Sequence, residues 1–205
     1  MKNYTLFLWI ALLMLGISDT IGAREVASFN DGWEFKKGPF SKEALQAVQK
    51  WNSDWQEVSI PHTWNADDMQ KQASAFYEGV GYYRKKFTFP ENMEGKRIFL
   101  RFEGVGSYAE VYINGYLAGT HKGAYSAFAC EISSQVKFGK ENEIIVKADN
   151  SSRPDVIPTN HILFGVYGGI YRPVWLVVTE TCSIIANDCA SPGVYILSLI
   201  HISEP

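Results

Sequence analysis

The stretch that decides the fold is RIFLRFEGVGSYAEVYINGYLAGTHKGAYSAFACEI, residues 97–132. Along it apolar and polar residues alternate with a period of two, which is the pattern of a strand with one buried face. In residues 109–113 the alternating Ala, Val and Ile form such a face, and Asn114-Gly115 follows at once. Both residues tolerate the positive φ of a tight type I′ turn. The stretch therefore predicts three or four antiparallel strands in close succession, with a hairpin at Asn114-Gly115.

The same alternation recurs on both sides of this stretch. We predict a turn and strand in residues 29–35, a strand ending at Pro61, and strands over 81–89, 143–149 and 170–179. One short helix is expected over residues 41–50, and loops over 66–78 and 150–164. Many short strands with almost no helix favour an all-β fold, a jelly-roll β-sandwich with minor helix. The sequence shows no βαβ alternation, which disfavours a nucleotide-binding α/β fold.

The composition excludes several classes of function. The 205 residues are 46% hydrophobic and 20% charged, as in an ordinary globular protein with one substantial core. The net charge is −3, and Lys and Arg cluster only in short runs. We therefore expect binding neither to nucleic acid nor to a membrane surface. Aromatic residues make up 14% of the chain, which suits a β-rich interior and equally suits faces that stack on sugars.

Residues 1–23 follow a separate pattern. Lys2 gives a positive start, residues 6–15 are almost continuously apolar, and Ile-Gly-Ala at 21–23 offers a cleavage site with small residues. This pattern predicts a secretory signal peptide and export to the periplasm or the extracellular space. The apolar run is shorter than the about 20 residues of a membrane span.

The chain has three cysteines, Cys130, Cys182 and Cys189. Cys130 alternates with apolar residues and is expected to be a small buried hydrophobe. A disulfide between Cys182 and Cys189 stays open, because a cysteine count does not determine connectivity. The cysteine spacing does not resemble a zinc site, and no metal or cofactor is expected.

Six segments together carry a family resemblance. They are FNDGWEF at 29–35, VSIPHTWN at 58–65, GVGYYRKKF at 79–87, the segment 102–128, NEIIVKADNSS at 142–152 and FGVYGGIYRPVWLVVT at 164–179. Their order and spacing resemble the amino-terminal sugar-binding domain of glycoside hydrolase family 2, which includes β-galactosidases, β-glucuronidases and β-mannosidases. The likeness covers roughly residues 29–180 and is greatest with exported bacterial β-galactosidases.

The resemblance implies a domain plan. Residues 24–181 would form a jelly roll like that of galactose-binding domains, and 182–196 a linker and the start of an immunoglobulin-like domain. In the family a TIM barrel follows, and it carries the two glutamates of a retaining glycosidase. A barrel needs about 250 residues, whereas the 205-residue chain ends 25 residues after Glu180. We therefore expect a truncated chain without the catalytic pair and without hydrolytic activity of its own.

The last nine residues, LSLIHISEP at 197–205, depart from the family pattern. They resemble translated sequencing-adapter read-through, so we expect a non-native tail. A natural divergent terminus is the alternative.

The resemblance also implies two candidate substrate contacts. In the family an acidic residue on the loop before the GGIYRPV strand reaches the sugar pocket, and Asp155 matches that position here. A carboxylate suits the task because it accepts hydrogen bonds from two adjacent sugar hydroxyls. The alternative is a solvated loop aspartate. Glu78 lies where some family members place an asparagine, and a plain surface glutamate is its alternative interpretation.

Other polar residues have structural interpretations. His62 and Trp64, at the end of a strand, are expected to be buried and structural. His121, beside a turn, is expected to be exposed. Asn150 begins the formal glycosylation sequence Asn-Ser-Ser, which has meaning only in a eukaryotic secretory pathway.

Two further function classes remain open on sequence alone. The chain could be a free-standing jelly-roll module that binds carbohydrate without catalysis. It could also be a cell-surface interaction module with no sugar role. The resemblance favours the glycosidase domain, with a carbohydrate such as a β-galactoside as the ligand of the intact protein.

Overall fold

The computed structural model describes residues 24–38, 55–68, 76–157, 165–184, 190–191 and 193–194. Within these ranges lie ten strands: β1 (Arg24–Ser28), β2 (Trp33–Lys37), β3 (Gln56–Val58), β4 (Val80–Thr88), β5 (Arg97–Phe102), β6 (Tyr108–Ile113), β7 (Tyr116–Lys122), β8 (Phe128–Glu131), β9 (Glu141–Asp149) and β10 (Val174–Thr179). A 3₁₀ turn, Glu91–Met93, lies between β4 and β5.

The strands form two antiparallel sheets. One sheet has four strands in the order β1-β10-β5-β8, and the other has six in the order β3-β2-β4-β9-β6-β7. The predicted jelly-roll β-sandwich is therefore confirmed. The short helix predicted for residues 41–50 falls outside the described residues. Among the residues that are described, no helix is long and apolar enough to cross a membrane.

The core lies between the sheets and uses alternate residues of each strand. Ala109, Val111 and Ile113 of β6 have no exposed surface, as predicted. Leu100 and Phe102 of β5 face them from the other sheet and belong to the same apolar cluster. Full burial of one such apolar side chain stabilises the fold by about 1.5–3 kcal/mol. The alternate residues that are buried in each strand therefore determine how the two sheets pack together.

The predicted hairpin joins β6 to β7. Asn114 and Gly115 have φ of 51° and 85°, and Ile113 pairs with Tyr116 on either side of them. Both turn residues thus adopt the left-handed region that a two-residue type I′ connection requires. The hairpin prediction is confirmed.

Several strands differ from the prediction, and β3 ends at Val58 rather than at Pro61. β1 was missed because all five of its residues are exposed and it pairs only with β10, so it has no apolar alternation. β9 begins at Glu141 rather than at 143, because the turn-like Asn142 is buried and hydrogen-bonds the backbone of Lys137. β10 begins at Val174 rather than at 170, directly after Pro173, which lacks a ladder donor.

One histidine prediction was wrong. His121 is not an exposed turn residue: it lies within β7 and is half-buried. Its ring stacks on Phe128 of β8, with 4.4 Å between ring centroids and 10° between ring planes. The turn comes two residues later, at Gly123, where φ is 144°.

Candidate functional site

The two acidic residues suggested by sequence lie beyond the same end of the six-stranded sheet. Glu78 precedes β4 by two residues, and Asp155 contacts the end of β7. One register row crosses the four strands at this end, through Val80, Asp149, Tyr108 and Lys122. Because neighbouring strands are about 4.8 Å apart, the row is about 14 Å long. The structure therefore puts both residues at one end of the sandwich, with two strands between them.

Asp155 is fixed between two cations. Its carboxylate accepts a hydrogen bond from Lys122 Nζ at 2.6 Å and another from Arg153 Nε at 3.2 Å. These two donors, Lys122 above all, lower the pKa of Asp155 to about 2. The side chain is still 44% exposed. The carboxylate is thus ionised at any pH near neutrality and presents oxygen lone pairs to a ligand that approaches from solvent.

The loop that carries Asp155 is anchored on both sides of it. The Arg153 guanidinium lies 4.7 Å from the centre of the Tyr108 ring. Val156 is buried, and the Ile157 carbonyl accepts a hydrogen bond from the Ala124 backbone N–H at 3.2 Å. These contacts hold the carboxylate in one place, which lowers the entropy that a contact with a ligand would lose.

Glu78 has a fixed backbone and an exposed side chain. The next residue, Gly79, donates its N–H to Asn150 Oδ1 at 2.8 Å, and its carbonyl accepts from the Asn150 N–H at 3.1 Å. The exposed side chain fits either interpretation, a ligand contact or a plain surface glutamate. Its role as a contact stays a prediction, as does that of Asp155.

Sequence reasoning missed two buried asparagines behind this end of the sheet. Asn65 and Asn150 have no exposed surface, and Asn150 Nδ2 donates to Asn65 Oδ1 at 3.3 Å. Asn150 Nδ2 also donates to the Val166 carbonyl at 2.8 Å. Asn65 Oδ1 accepts from the Gly168 N–H at 2.8 Å, and Asn65 Nδ2 donates to Asp68 Oδ2 at 2.7 Å.

This pair, which we call the asparagine pair (Asn65 and Asn150), joins segments that are far apart in sequence. Buried amides of this kind are retained only when their donors and acceptors are satisfied. The pair ties the start of the Asp155 loop to the Val166–Gly168 backbone that follows it. Because Asn150 is buried and bonded, the Asn-Ser-Ser sequence does not offer an accessible acceptor in the folded protein. The sequence signal for the pair was weak, because Asn150 directly follows β9 but Asn65 lies seven residues after β3.

The expected structural roles of His62 and Trp64 agree with their surroundings. Trp64 is buried and stacks on Phe35, and Gly168 packs directly against its indole, where a Cβ would collide with the ring. His62 Nδ1 lies 2.7 Å from the Tyr83 hydroxyl. Burial, with a smaller contribution from the Lys37 charge, lowers the pKa of His62, so the neutral ring is favoured at neutral pH.

Among the described residues, neither a cysteine nor a group of potential metal ligands forms a reactive centre at this end of the sheet. Cys130 is buried and Cys182 exposed, and both are free thiols. Cys189, the proposed partner of Cys182, is outside the described residues. In the described part of the chain, no three or more His, Cys, Asp or Glu side chains are grouped so that they could hold a metal ion.

Comparison with known proteins gives one family match. The family model described as glycosyl hydrolases family 2, sugar binding domain, matches residues 26–180. A β-glucuronidase of Bacteroides fragilis is 37% identical over 196 residues, which are 96% of this chain and 26% of that protein. A β-galactosidase of Thermoanaerobacter pseudethanolicus is 35% identical over 160 residues, 76% of this chain and 21% of that protein.

Solved structures give the same picture. A crystal structure from Bacteroides fragilis, described as a candidate β-galactosidase, aligns with a TM-score of 0.79 and 67% identity over 85% of this chain and 26% of that one. A β-glucuronidase structure from Bacteroides uniformis aligns with a TM-score of 0.74 and 34% identity over 82% of this chain and 19% of that one. The chain thus spans about a quarter of the length of such relatives.

Proposed function

The chain belongs to the family of sugar-binding domains found in family 2 glycosyl hydrolases. From that membership we propose that it is the non-catalytic domain of a longer β-galactosidase-like glycosidase. The relatives it matches are β-glucuronidases and β-galactosidases about four times its length. In this proposal an immunoglobulin-like domain and a TIM barrel belong to the same longer protein, and the barrel hydrolyses the O-glycosyl bond.

The chain's own contribution in this proposal is scaffold plus one sugar contact from Asp155. The observation that carries it is the carboxylate held between Lys122 and Arg153 at an exposed, anchored loop. An ionised acceptor fixed in this way can accept hydrogen bonds from two adjacent sugar hydroxyls. The sugar would be a β-galactoside or a related glycoside.

The Asp155 contact is tested in the longer protein that carries this chain. We expect Asp155→Asn to lower kcat/KM about tenfold, mostly through KM, because a charged acceptor to substrate hydroxyls is lost. The matched control is Asp31→Asn, an exposed aspartate on a turn before β2. Equal kcat/KM for both variants would remove Asp155 from the proposal. Glu78→Gln in the same assay tests the second candidate contact.

The non-catalytic assignment is tested on the 205-residue chain itself. Incubation with chromogenic β-galactoside and β-glucuronide should release no chromophore above the buffer rate. Measurable turnover by the pure chain would refute the assignment. The alternative function, a free-standing carbohydrate-binding module, predicts instead that galactose binds the chain saturably and that Asp155→Asn abolishes the binding.

We also propose that the protein is exported. The support is the pattern of residues 1–23, which lie outside the described residues. Expression in a bacterial host and amino-terminal sequencing of the periplasmic protein should show cleavage after Ala23. An uncleaved chain retained in the cytoplasm would contradict this proposal.

A further inference from the structure

A cavity of about 240 Å³ lies on the outer face of the four-stranded sheet, the face that is turned away from the core. It is separate from the Asp155 loop, which belongs to the six-stranded sheet. Its lining combines an apolar floor with charged groups. The residues that matter here are Phe99, Val177, Trp175, Arg24, Arg101 and Glu103.

The strand register explains why these residues meet. Trp175 of β10 pairs with Arg101 of β5, and Val177 pairs with Phe99 in the next row. Cross-strand partners point to the same face of a sheet and have their Cβ atoms about 5 Å apart. Phe99 is 1% exposed and Val177 5% exposed, although both face away from the core. The floor of the cavity is therefore apolar.

Some of the described residues that follow β10 lie against this sheet. Thr181 donates its hydroxyl to the Gly95 carbonyl at 3.0 Å, and Arg24 Nη2 lies 3.4 Å from the Ile184 carbonyl. Ala190 is buried, and Ser191 lines the cavity. Of the described residues after β10, Ser191 thus borders the cavity on one side.

One polar group in the cavity has no hydrogen-bond acceptor. Arg101 Nε is buried and lacks a hydrogen-bond partner among the described residues. It lies 3.0 Å from Glu103 Oε1, so the two charges attract each other, but the geometry is not that of a hydrogen bond. A buried N–H of this kind is an exception in folded proteins, and an acceptor on a ligand would satisfy it.

The charges select the class of ligand. Among the described residues that line the cavity, Arg24 and Arg101 carry two guanidinium groups and Glu103 carries one carboxylate, so these residues together have a net positive charge. Guanidinium binds carboxylate in a planar two-point geometry. The volume is below the about 300–1,000 Å³ of drug-sized pockets, which limits the ligand to about one ring. Trp175 and the apolar floor suit the C–H face of a sugar ring.

We propose that this cavity binds a single carboxylated sugar unit, a uronate. Its carboxylate pairs with the Arg101 guanidinium, and its ring packs on Trp175. The unit can be a free monosaccharide or the end of an acidic oligosaccharide, since both present the same ring and carboxylate. The site goes beyond the proposed Asp155 contact and does not depend on it.

The test is isothermal titration of the 205-residue chain with methyl β-D-glucuronide, methyl β-D-glucoside and acetate. We expect saturable binding of the glucuronide with Kd on the order of 1 mM. The glucoside lacks the carboxylate and acetate lacks the ring, so each should bind at least about tenfold more weakly. A tetra-uronide that binds as well as the monosaccharide would show that chain ends are also accepted, and one that fails would restrict the site to the free unit.

Variants locate the site. Arg101→Gln and Trp175→Leu should each weaken binding about tenfold or more. Arg172→Gln, a matched exposed arginine outside the cavity, should leave Kd unchanged. The Trp175 indole N–H resonance of the unmodified protein should shift on titration, which is independent of how the variants fold.

Three results would overturn the proposal. They are the absence of saturable glucuronide binding, equal affinity for glucuronide and glucoside, and binding that Arg101→Gln leaves unchanged. The first would show that the cavity is not a uronate site. Loss of binding in Asp155→Asn with an unshifted Trp175 resonance would place the sugar at the Asp155 loop instead.

Discussion

Replacement of Asn150 by alanine is the sharpest test of how this end of the sandwich is held. The amide of Asn150 is buried and serves two backbone groups with short bonds. Its Oδ1 accepts from the Gly79 N–H at 2.8 Å, and its Nδ2 donates to the Val166 carbonyl at 2.8 Å. Alanine removes both functions and puts nothing polar in their place.

The expected cost follows from the burial of the two groups left behind. A buried polar group without a partner costs about 1–3 kcal/mol. Val166 is 1% exposed, so its carbonyl should cost about 2 kcal/mol. Gly79 is half-buried, so its N–H should cost about 1 kcal/mol. Asn65 Oδ1 keeps the Gly168 N–H and adds little. The free energy of unfolding should therefore fall by about 3 kcal/mol, and Tm by about 9 °C.

Urea titration followed by tryptophan fluorescence measures the free energy of unfolding, and a calorimetric scan gives Tm. The matched control is Asn92→Ala, which removes an exposed amide in the 3₁₀ turn and should change the free energy of unfolding by less than about 0.5 kcal/mol. If Asn150→Ala and Asn92→Ala were equally stable, the asparagine pair would not hold this end of the sheet.

Two further predictions concern titratable groups. Hydrogen bonds from Arg97 lower the pKa of Glu131 in the folded protein. The stability that this carboxylate contributes is therefore present above its unfolded-state pKa, and it is lost as pH falls through the folded-state pKa. Glu131→Gln should lower the free energy of unfolding by less than about 1 kcal/mol at pH 7 and leave it unchanged at a pH below both pKa values. Urea titrations at these two pH values measure the difference. An equal loss at both would contradict the ion-pair origin. Burial raises the pKa of the Cys130 thiol to about 12. A thiol reagent should therefore label exposed Cys182 in the native protein and Cys130 only after unfolding. Peptide mapping by mass spectrometry measures the two labelling rates. Equal labelling rates would refute this.

The strands with one buried face were predictable from sequence. In β6 and in the Asn114-Gly115 turn, local preference, periodicity and tertiary packing all point the same way, and the structure agrees. β1 was not predictable, because a strand without a buried face leaves no alternation. The strand boundary predicted at residue 143 was wrong because Asn142, a residue typical of turns, is buried here and hydrogen-bonds the backbone of Lys137, five residues earlier.

The two-residue alternation does not predict which residues are buried on the outer faces of the sheets. Arg84 lies on the face of β4 that the alternation assigns to solvent, yet it is 1% exposed. Its guanidinium stacks on Trp55, with 4.1 Å to the ring centre, and its Nε donates to Glu34 at 2.6 Å. The sequence shows the three residues but not their meeting, since 29 residues separate Trp55 from Arg84 and 50 separate Glu34 from Arg84.

The same limit applies to the candidate site. The resemblance picked out Asp155 because it matches an acidic position on the loop before the GGIYRPV strand, but the geometry that holds this loop in place begins at Asn150. The asparagine pair binds the backbone just before the Asp155 loop and again at Val166 and Gly168 just after it. Both ends of the loop are therefore fixed to one buried point, and Lys122 and Arg153 need only orient the carboxylate. Asn150 is thus a positioning residue for the proposed Asp155 contact, and a variant that loosens the Asn150 hydrogen bonds should move the Asp155 carboxylate without touching it.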